Sequence, residues 1–323
     1  MTDLMWAAVL EAPGRMVVGE VPKPRPGPGQ VRVRLEGCGV CASNLPPWEG
    51  RAWFTYPMEP GALGHEGWGR IDALGPGVTG LAVGDRVAAM AFHSYAEFDI
   101  ADAGNVIALP SALDGKPFPG EPLGCALNIF ARSRVEPGQT VAVVGIGFLG
   151  ALLTRLAADA GATVIALARR PFARQIGLDM GAAHALPMPD GERWRAVEQV
   201  SALTDGKLCD VVIEAVGKQE PLDLAGELVR ERGCLVIAGY HQDGLRSVNL
   251  QQWNWRGIDV VNAHERDPLM YTGGIARAVD AVASGQLDPF PLYTHTFPLE
   301  RLGDALDATR DRPAGFLKAL VRL

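Results

Sequence analysis

The sequence has no apolar run long enough to cross a bilayer. Its longest, "TVAVVGIGFLGALL", is interrupted by glycine and closed by Arg155 and Asp159, well short of the roughly 20 residues a spanning helix needs. An excess of positive charge is missing too. Thirty Lys and Arg stand against 37 Asp and Glu, for a net charge of -7, which speaks against a broad nucleic-acid surface. The N-terminal "MTDLMWAAVLEAPGR" has an early acid and no long apolar stretch, so no signal peptide is expected. Cysteine is scarce. Cys38, Cys41, Cys125, Cys209 and Cys234 form no even framework, and the expectation is a reduced, cytoplasmic protein.

What is present falls into three textures. Residues 1 to about 125 are rich in Gly and Pro, with short alternating runs such as "QVRVRLEG" and "DRVAAMAF" that read as strands joined by turns. Residues 126 to about 264 alternate buried strands ("TVAVVGIG", "ATVIALA", "CDVVIEAVG", "GCLVIAG", "GIDVVNA") with helices ("FLGALLTRLAADAG", "PFARQIGLDMGA", "PLDLAGELVRERG"). That alternation implies a doubly wound parallel sheet, an α/β fold. The last zone reads as a helix over "YTGGIARAVDAVASGQ", a strand near "THTF", a helix from Leu299 to Thr309 and a final strand "FLKALVRL".

Gly145, Gly147 and Gly150 make G-x-G-x-x-G between a predicted strand and a predicted helix. In that context the glycines allow a tight turn and close approach to a pyrophosphate, and the helix start supplies free amides, with Phe148 and Leu149 in the same turn. An NAD site usually places an acid at the end of the next strand, to bond the ribose 2'-hydroxyl. Here that place, about 23 residues beyond Gly145, holds Ala168, Arg169 and Arg170. Two guanidinium groups suit a 2'-phosphate, so NADP(H) is expected over NAD(H). The other reading is that both arginines cover the surface or stack on an adenine.

The ordered set "GCGVCASN" (37–44), "GALGHEGWGRI" (61–71), "VGDRVA" (83–88), "EPGQTVAVVGIGFLG" (136–150) and "YTHTFPLERLGDALD" (293–307) resembles the medium-chain dehydrogenase/reductase superfamily, in its zinc alcohol and polyol dehydrogenase branch. The resemblance spans essentially the whole chain. It implies a GroES-like, partly closed β-barrel catalytic domain from residues 1–125 and 265–323, with a Rossmann cofactor domain, 126–264, inserted. It also implies one catalytic Zn2+ held by Cys41 and His65, with Glu66 ligating or poised to do so. A further ligand would be Glu121, directly or through a water, or else Cys125. Two departures stand out. Asn44 takes the place of the usual Asp that accepts a hydrogen bond from the zinc-bound histidine; it can still accept one but brings no charge. The four clustered cysteines of a structural zinc are missing between Val87 and Phe98, so one metal per subunit is expected.

The resemblance implies hydride transfer between a secondary alcohol or ketone, with polyols, sugars and cyclitols as candidate classes, and C4 of the nicotinamide. Zinc would polarise the substrate oxygen and Ser43 would pass the alcohol proton outward. Ala215, Val216, Ala238 and Gly239, at strand ends, would flank the nicotinamide. In "LPPWEGRAWFTYPMEP" (45–60), Trp48, Trp53, Phe54 and Tyr56 either stack on substrate or pack under the loop. Arg51, Glu49, His93 and Asn128 are possible polar contacts. His264, Glu265 and Arg266 reach either the cleft or a hinge. His93, His241, His264 and His295 otherwise read as ordinary bonded histidines. "GIDVVNA" should be a sheet-edge strand, and a homodimer or homotetramer is expected. Two other readings stay open. One is a metal-free quinone or enone reductase of the same fold, against which Cys41, His65 and Glu66 argue. The other is a non-enzymatic NADPH-binding protein.

Overall fold

Alternation sets the first part of the chain. The computed structural model describes residues 3–323. Strands β1 (Leu4–Ala12) and β2 (Arg15–Pro22) pair as an antiparallel ribbon. They are followed by β3 (Gln30–Gly39), β4 (Gly67–Leu74), β5 (Arg86–Ala89), β6 (Phe98–Asp102) and β7 (Val106–Ala108). In β3, Val31, Val33 and Leu35 turn into a core with Ile71, Val87 and Ala101, while the arginines between them face outward. The period of two therefore decides which face is buried. Helix α1 (Leu45–Trp48) lies in the loop before β4, and α2 (Gly120–Ser133) follows β7.

The second part is a six-stranded parallel sheet. Its strands are β8 (Thr140–Val144), β9 (Thr163–Ala168), β10 (His184–Pro187), β11 (Cys209–Glu214), β12 (Val229–Ile237) and β13 (Asp259–Asn262), in the spatial order β10-β9-β8-β11-β12-β13. Helices α3 (Phe148–Asp159), α4 (Pro171–Asp179), α5 (Arg193–Leu203), α6 (Gln219–Leu228) and α7 (Leu250–Arg256) connect them. Strands buried on both faces need near-continuous apolar sequence, and β8, "TVAVV", has four buried residues in succession. Gly145 sits at φ +99°, and a Cβ on Gly150 would fall 2.0 Å from the Gly145 carbonyl. Close packing of α3 on β8 thus requires both glycines.

The chain closes with α8 (Pro268–Ala283), β14 (Tyr293–Pro298), α9 (Leu302–Asp311) and β15 (Lys318–Arg322). β15 pairs antiparallel with β3 and parallel with β14, completing a seven-stranded sheet with β4, β5, β6 and β7. The chain divides into two compact units, Met1–Gly124 with Asp267–Leu323, and Cys125–Arg266, with the first boundary inside α2. The fold is that of a GroES-like domain plus a parallel Rossmann sheet.

Three details differ from the sequence reading. The helix expected over "PLDLAGELVRERG" stops at Leu228, and the rest joins β12, because Val229 is fully buried beside Cys209. β10, α5 and α7 were not foreseen; α5 buries only Ala196 and Val200, and α7 buries no residue. Helix α8 begins at Pro268 rather than Tyr271, since the Asp267 side chain accepts the Leu269 amide and caps it.

Candidate metal and dinucleotide sites

β3 delivers the chain to Cys41, whose sulfur accepts the Ser43 amide at 3.5 Å and caps a short turn, Ala42–Asn44. His65 and Glu66 lie just before β4. Their ligating atoms and the Cys41 sulfur all fall within 4.8 Å of one another, the one such group among the described residues. Thiolate, imidazole and carboxylate are donors that suit zinc.

Glu66 is fully buried. The Lys318 ammonium on β15 donates to its Oε1 at 2.7 Å and to the Val40 carbonyl at 3.0 Å. Oε2 lies 2.5 Å from the same nitrogen but outside a hydrogen-bonding direction, so this buried oxygen keeps lone pairs for a cation. A Cβ on Gly39 would fall 1.8 Å from Oε2, so only glycine leaves the carboxylate its place. Burial works against the Lys318 charge, but Glu66 foremost, then Cys41 and Glu121, outweigh it and hold the ammonium's pKa above its ordinary value.

His65 Nδ1 bonds the Leu63 carbonyl at 2.8 Å, which leaves Nε2 for a metal. Burial would lower the pKa of His65. The hydrogen bond and charge of Cys41, with Glu121 and Glu66, outweigh burial and push it up to about 10. Metal binding here would therefore release a proton. Asn44 does not take the hydrogen bond from His65. Its Nδ2 donates to the same Leu63 carbonyl at 3.0 Å. Glu121 is not among the clustered atoms; its Oε1 accepts the Tyr271 hydroxyl at 2.6 Å. Cys125 belongs to the other unit.

The aromatic loop splits. Trp48 is buried and donates to Asp307, and the Tyr56 hydroxyl donates to the Pro47 carbonyl, so both are packing groups. Trp53 is 60% exposed, with the Phe54 ring 6.0 Å away. Arg51 pairs with Glu49 at 3.3 Å. The His93 amide donates to buried Asp99, and His295 packs on Phe297 and Phe316.

In the other unit, Gly147 stands at the N-cap of α3, so Phe148, Leu149 and Gly150 form the first turn, whose amides have no helical partner. Arg170 occupies the N-cap position of α4, and Arg169 meets exposed Asp190 at 2.9 Å. Arg174 donates to the carbonyls of Ala168 and Arg169, bracing that turn. Glu214, fully buried at the end of β11, was missed by the sequence reading. Its Oε1 accepts the amides of Val216 and Gly217 at 2.8 Å, and its carbonyl accepts those of Ala238 and Gly239, also at 2.8 Å. It therefore ties together the two strand ends that carry Ala215, Val216, Ala238 and Gly239. His241 bonds Glu214 Oε2 at 3.0 Å and accepts from Arg246, while His264 stacks on Tyr240. An acid closing the apolar run "VVIE" was the available signal.

A Rossmann sheet with a glycine phosphate turn, and a barrel-borne cluster of sulfur, imidazole and carboxylate, define a zinc-dependent NAD(P) dehydrogenase. Residues 27–113 match the family model for the alcohol dehydrogenase GroES-like domain, and 149–280 that for zinc-binding dehydrogenase. An alcohol dehydrogenase of Rhizobium meliloti is 30% identical over 73% of this chain and 77% of its own length. A sorbitol dehydrogenase of Halalkalibacterium halodurans is 28% identical over 93% of this chain and 94% of its own. Among solved structures, a zinc-binding dehydrogenase from Sinorhizobium meliloti bound to NADP superimposes with a TM-score of 0.86 at 26% identity, covering 99% of this chain and 100% of that one. The chain belongs to the zinc-binding medium-chain dehydrogenases, homologous to sorbitol and alcohol dehydrogenases.

Proposed function

We propose that the protein is an NADP(H)-linked, zinc-dependent dehydrogenase of secondary alcohols, with polyols, sugars or cyclitols as the substrate class. The observation that carries this reading is the convergence of Cys41, His65 and Glu66 within 4.8 Å. When bound, zinc supplies a Lewis acid that makes a substrate hydroxyl more acidic, and the nicotinamide supplies a hydride acceptor. The rest falls to this chain's residues. Cys41 and His65 hold the ion. Glu66, restrained by Lys318, offers a carboxylate that can ligate or yield to water. Glu121 would add a further donor, directly or through a water, with Cys125 as the alternative. Ser43, next to Cys41, takes the substrate proton and passes it outward. Gly145, Gly147, Phe148, Leu149 and Gly150 receive the pyrophosphate. Arg169, which pairs with exposed Asp190, and Arg170 hold the 2'-phosphate. Ala215, Val216, Ala238 and Gly239 face the nicotinamide.

The preference for NADP(H) is supported by the missing acid after β9, and the polyol class by the E-P-L sequence at Glu121 and by the sorbitol dehydrogenases among the relatives. The test combines metal analysis with a panel of alcohols, polyols and cyclitols against both cofactors. The expected result is one zinc per chain and NADP-linked oxidation of a secondary alcohol. Arg169→Ala with Arg170→Ala should weaken NADPH by about 10- to 100-fold, a loss of two charge-assisted bonds, and leave NADH nearly unchanged. Full turnover in zinc-free protein would overturn the zinc reading. Unchanged NADPH affinity in the double variant would overturn the cofactor preference.

A further inference from the structure

We infer that Asn44 and Tyr95 are positioning residues that aim His65 at its metal by fixing the Leu63 carbonyl, in place of a charged acceptor on the histidine itself. This rests on the zinc site proposed above. Leu63 adopts φ +76°, a left-handed conformation that a leucine holds only when its surroundings impose it. Its carbonyl oxygen receives two donors, His65 Nδ1 at 2.8 Å and Asn44 Nδ2 at 3.0 Å. Asn44 is 3% exposed, and its Oδ1 accepts the Tyr95 hydroxyl at 2.8 Å. The amide orientation is therefore fixed from both ends, with the NH2 on the carbonyl and the oxygen on the hydroxyl.

Tyr95 is itself held on several sides. It is fully buried, its amide donates to the Gly61 carbonyl at 3.1 Å, and its carbonyl accepts the Ala8 amide at 2.9 Å. Its hydroxyl also lies 3.2 Å from the Gly39 carbonyl, on the strand end next to Cys41. A Cβ on Gly64 would fall 2.4 Å from the Tyr95 amide, so the segment carrying His65 is pressed directly on this tyrosine. The chain of bonds runs Tyr95, Asn44, Leu63, His65, from two buried side chains to two half-buried residues, and at its buried end an unmade bond is most costly.

The chemical consequence runs against intuition. Asn44→Asp would restore the residue type that otherwise accepts from the zinc-bound histidine. In this geometry it would set a carboxylate oxygen against the Leu63 carbonyl oxygen, two acceptors facing each other. The carbonyl would turn away and take the imidazole with it.

The test uses the full-length protein. Zinc affinity is measured by competition with a chromogenic chelator, and ligand geometry by the absorption of the cobalt-substituted protein. Asn44→Asp and Asn44→Ala should each weaken zinc by about 10- to 100-fold, the usual effect of losing an outer partner, and should shift the cobalt bands. Tyr95→Phe should do the same more mildly, with NADPH affinity unchanged in all three. Tighter zinc in Asn44→Asp would overturn the inference, since Asn44 would then act on His65 directly. So would unaltered affinity and cobalt bands in Tyr95→Phe, a variant that removes one oxygen and preserves the packing. Should wild-type protein itself fail to bind zinc, the proposed site falls and this inference with it. Zinc bound equally by wild type and variants would sink only the inference.

Discussion

Lys318 and Glu66 meet where there is almost no water, at 6% and 0% side-chain exposure. A pair in such surroundings gains much of its attraction only by cancelling the penalty of dehydrating both charges. Removing one partner therefore costs about 3–5 kcal/mol, because the other is left uncompensated. Lys318→Met should lower the thermal midpoint of zinc-free protein steeply. Added zinc should recover part of the loss, since a dication at Cys41, His65 and Glu66 would neutralise the stranded carboxylate. Thermal unfolding with and without zinc checks this, and equal midpoints for variant and wild type would refute it. Cys41, His65 and Glu66 were readable as candidates because motif spacing advertises them. Lys318 was not. It lies 252 residues from Glu66, and nothing in "FLKALVRL" marks its lysine as anything but a strand residue.

At the scale of elements, Asp210 fastens three strands at their starts. Its Oδ2 accepts the Thr140 amide of β8 at 2.7 Å, and its Oδ1 accepts Arg230 of β12 at 2.6 Å. Partial burial opposes its charge. The Thr140 amide and Arg230 outweigh that and hold its carboxyl below the ordinary range. A lowered folded pKa means the stabilisation is present above about pH 4 and is lost as pH falls through the folded value. Asp210→Asn should cost about 1 kcal/mol at pH 7, a figure discounted for solvent around the guanidinium, and the gap to wild type should narrow as the pH is taken below the ordinary carboxylate range. Urea titrations at neutral and acid pH read it, and a gap that persists undiminished in acid would contradict the assignment. β8, β9 and β11 were legible because strands covered on both faces carry near-continuous apolar runs. β10 and α7 were not, since they lie at the sheet's margins, where half-exposed sequence carries no clear period.

At the scale of the molecule, two compact units divide the candidate sites, with the proposed metal donors in one and the glycine turn and paired arginines in the other. No helix among the described residues is long and apolar enough to cross a membrane. Because a ligand stabilises what it binds, zinc at about 1,000 times its Kd should add roughly 4 kcal/mol. Hydrogen exchange followed by mass spectrometry should localise that. Chelation should deprotect residues 61–67 and leave β8 unchanged, whereas NADPH should protect the first turn of α3 and the Arg169–Arg170 turn. Protection of β8 that fell with the chelator would mean the units do not take their ligands separately.

The sequence by itself supplied the candidate donor residues, the glycine turn and the paired arginines, because each is written within a few adjacent residues that local backbone chemistry makes readable. Only the tertiary structure decided what holds them: the Lys318 ammonium on Glu66, the Leu63 carbonyl on His65, Tyr271 on Glu121, and Glu214 across two strand ends. Those partners are distant along the chain or belong to the backbone, and a hydrogen bond to a carbonyl leaves no signature in residue identity.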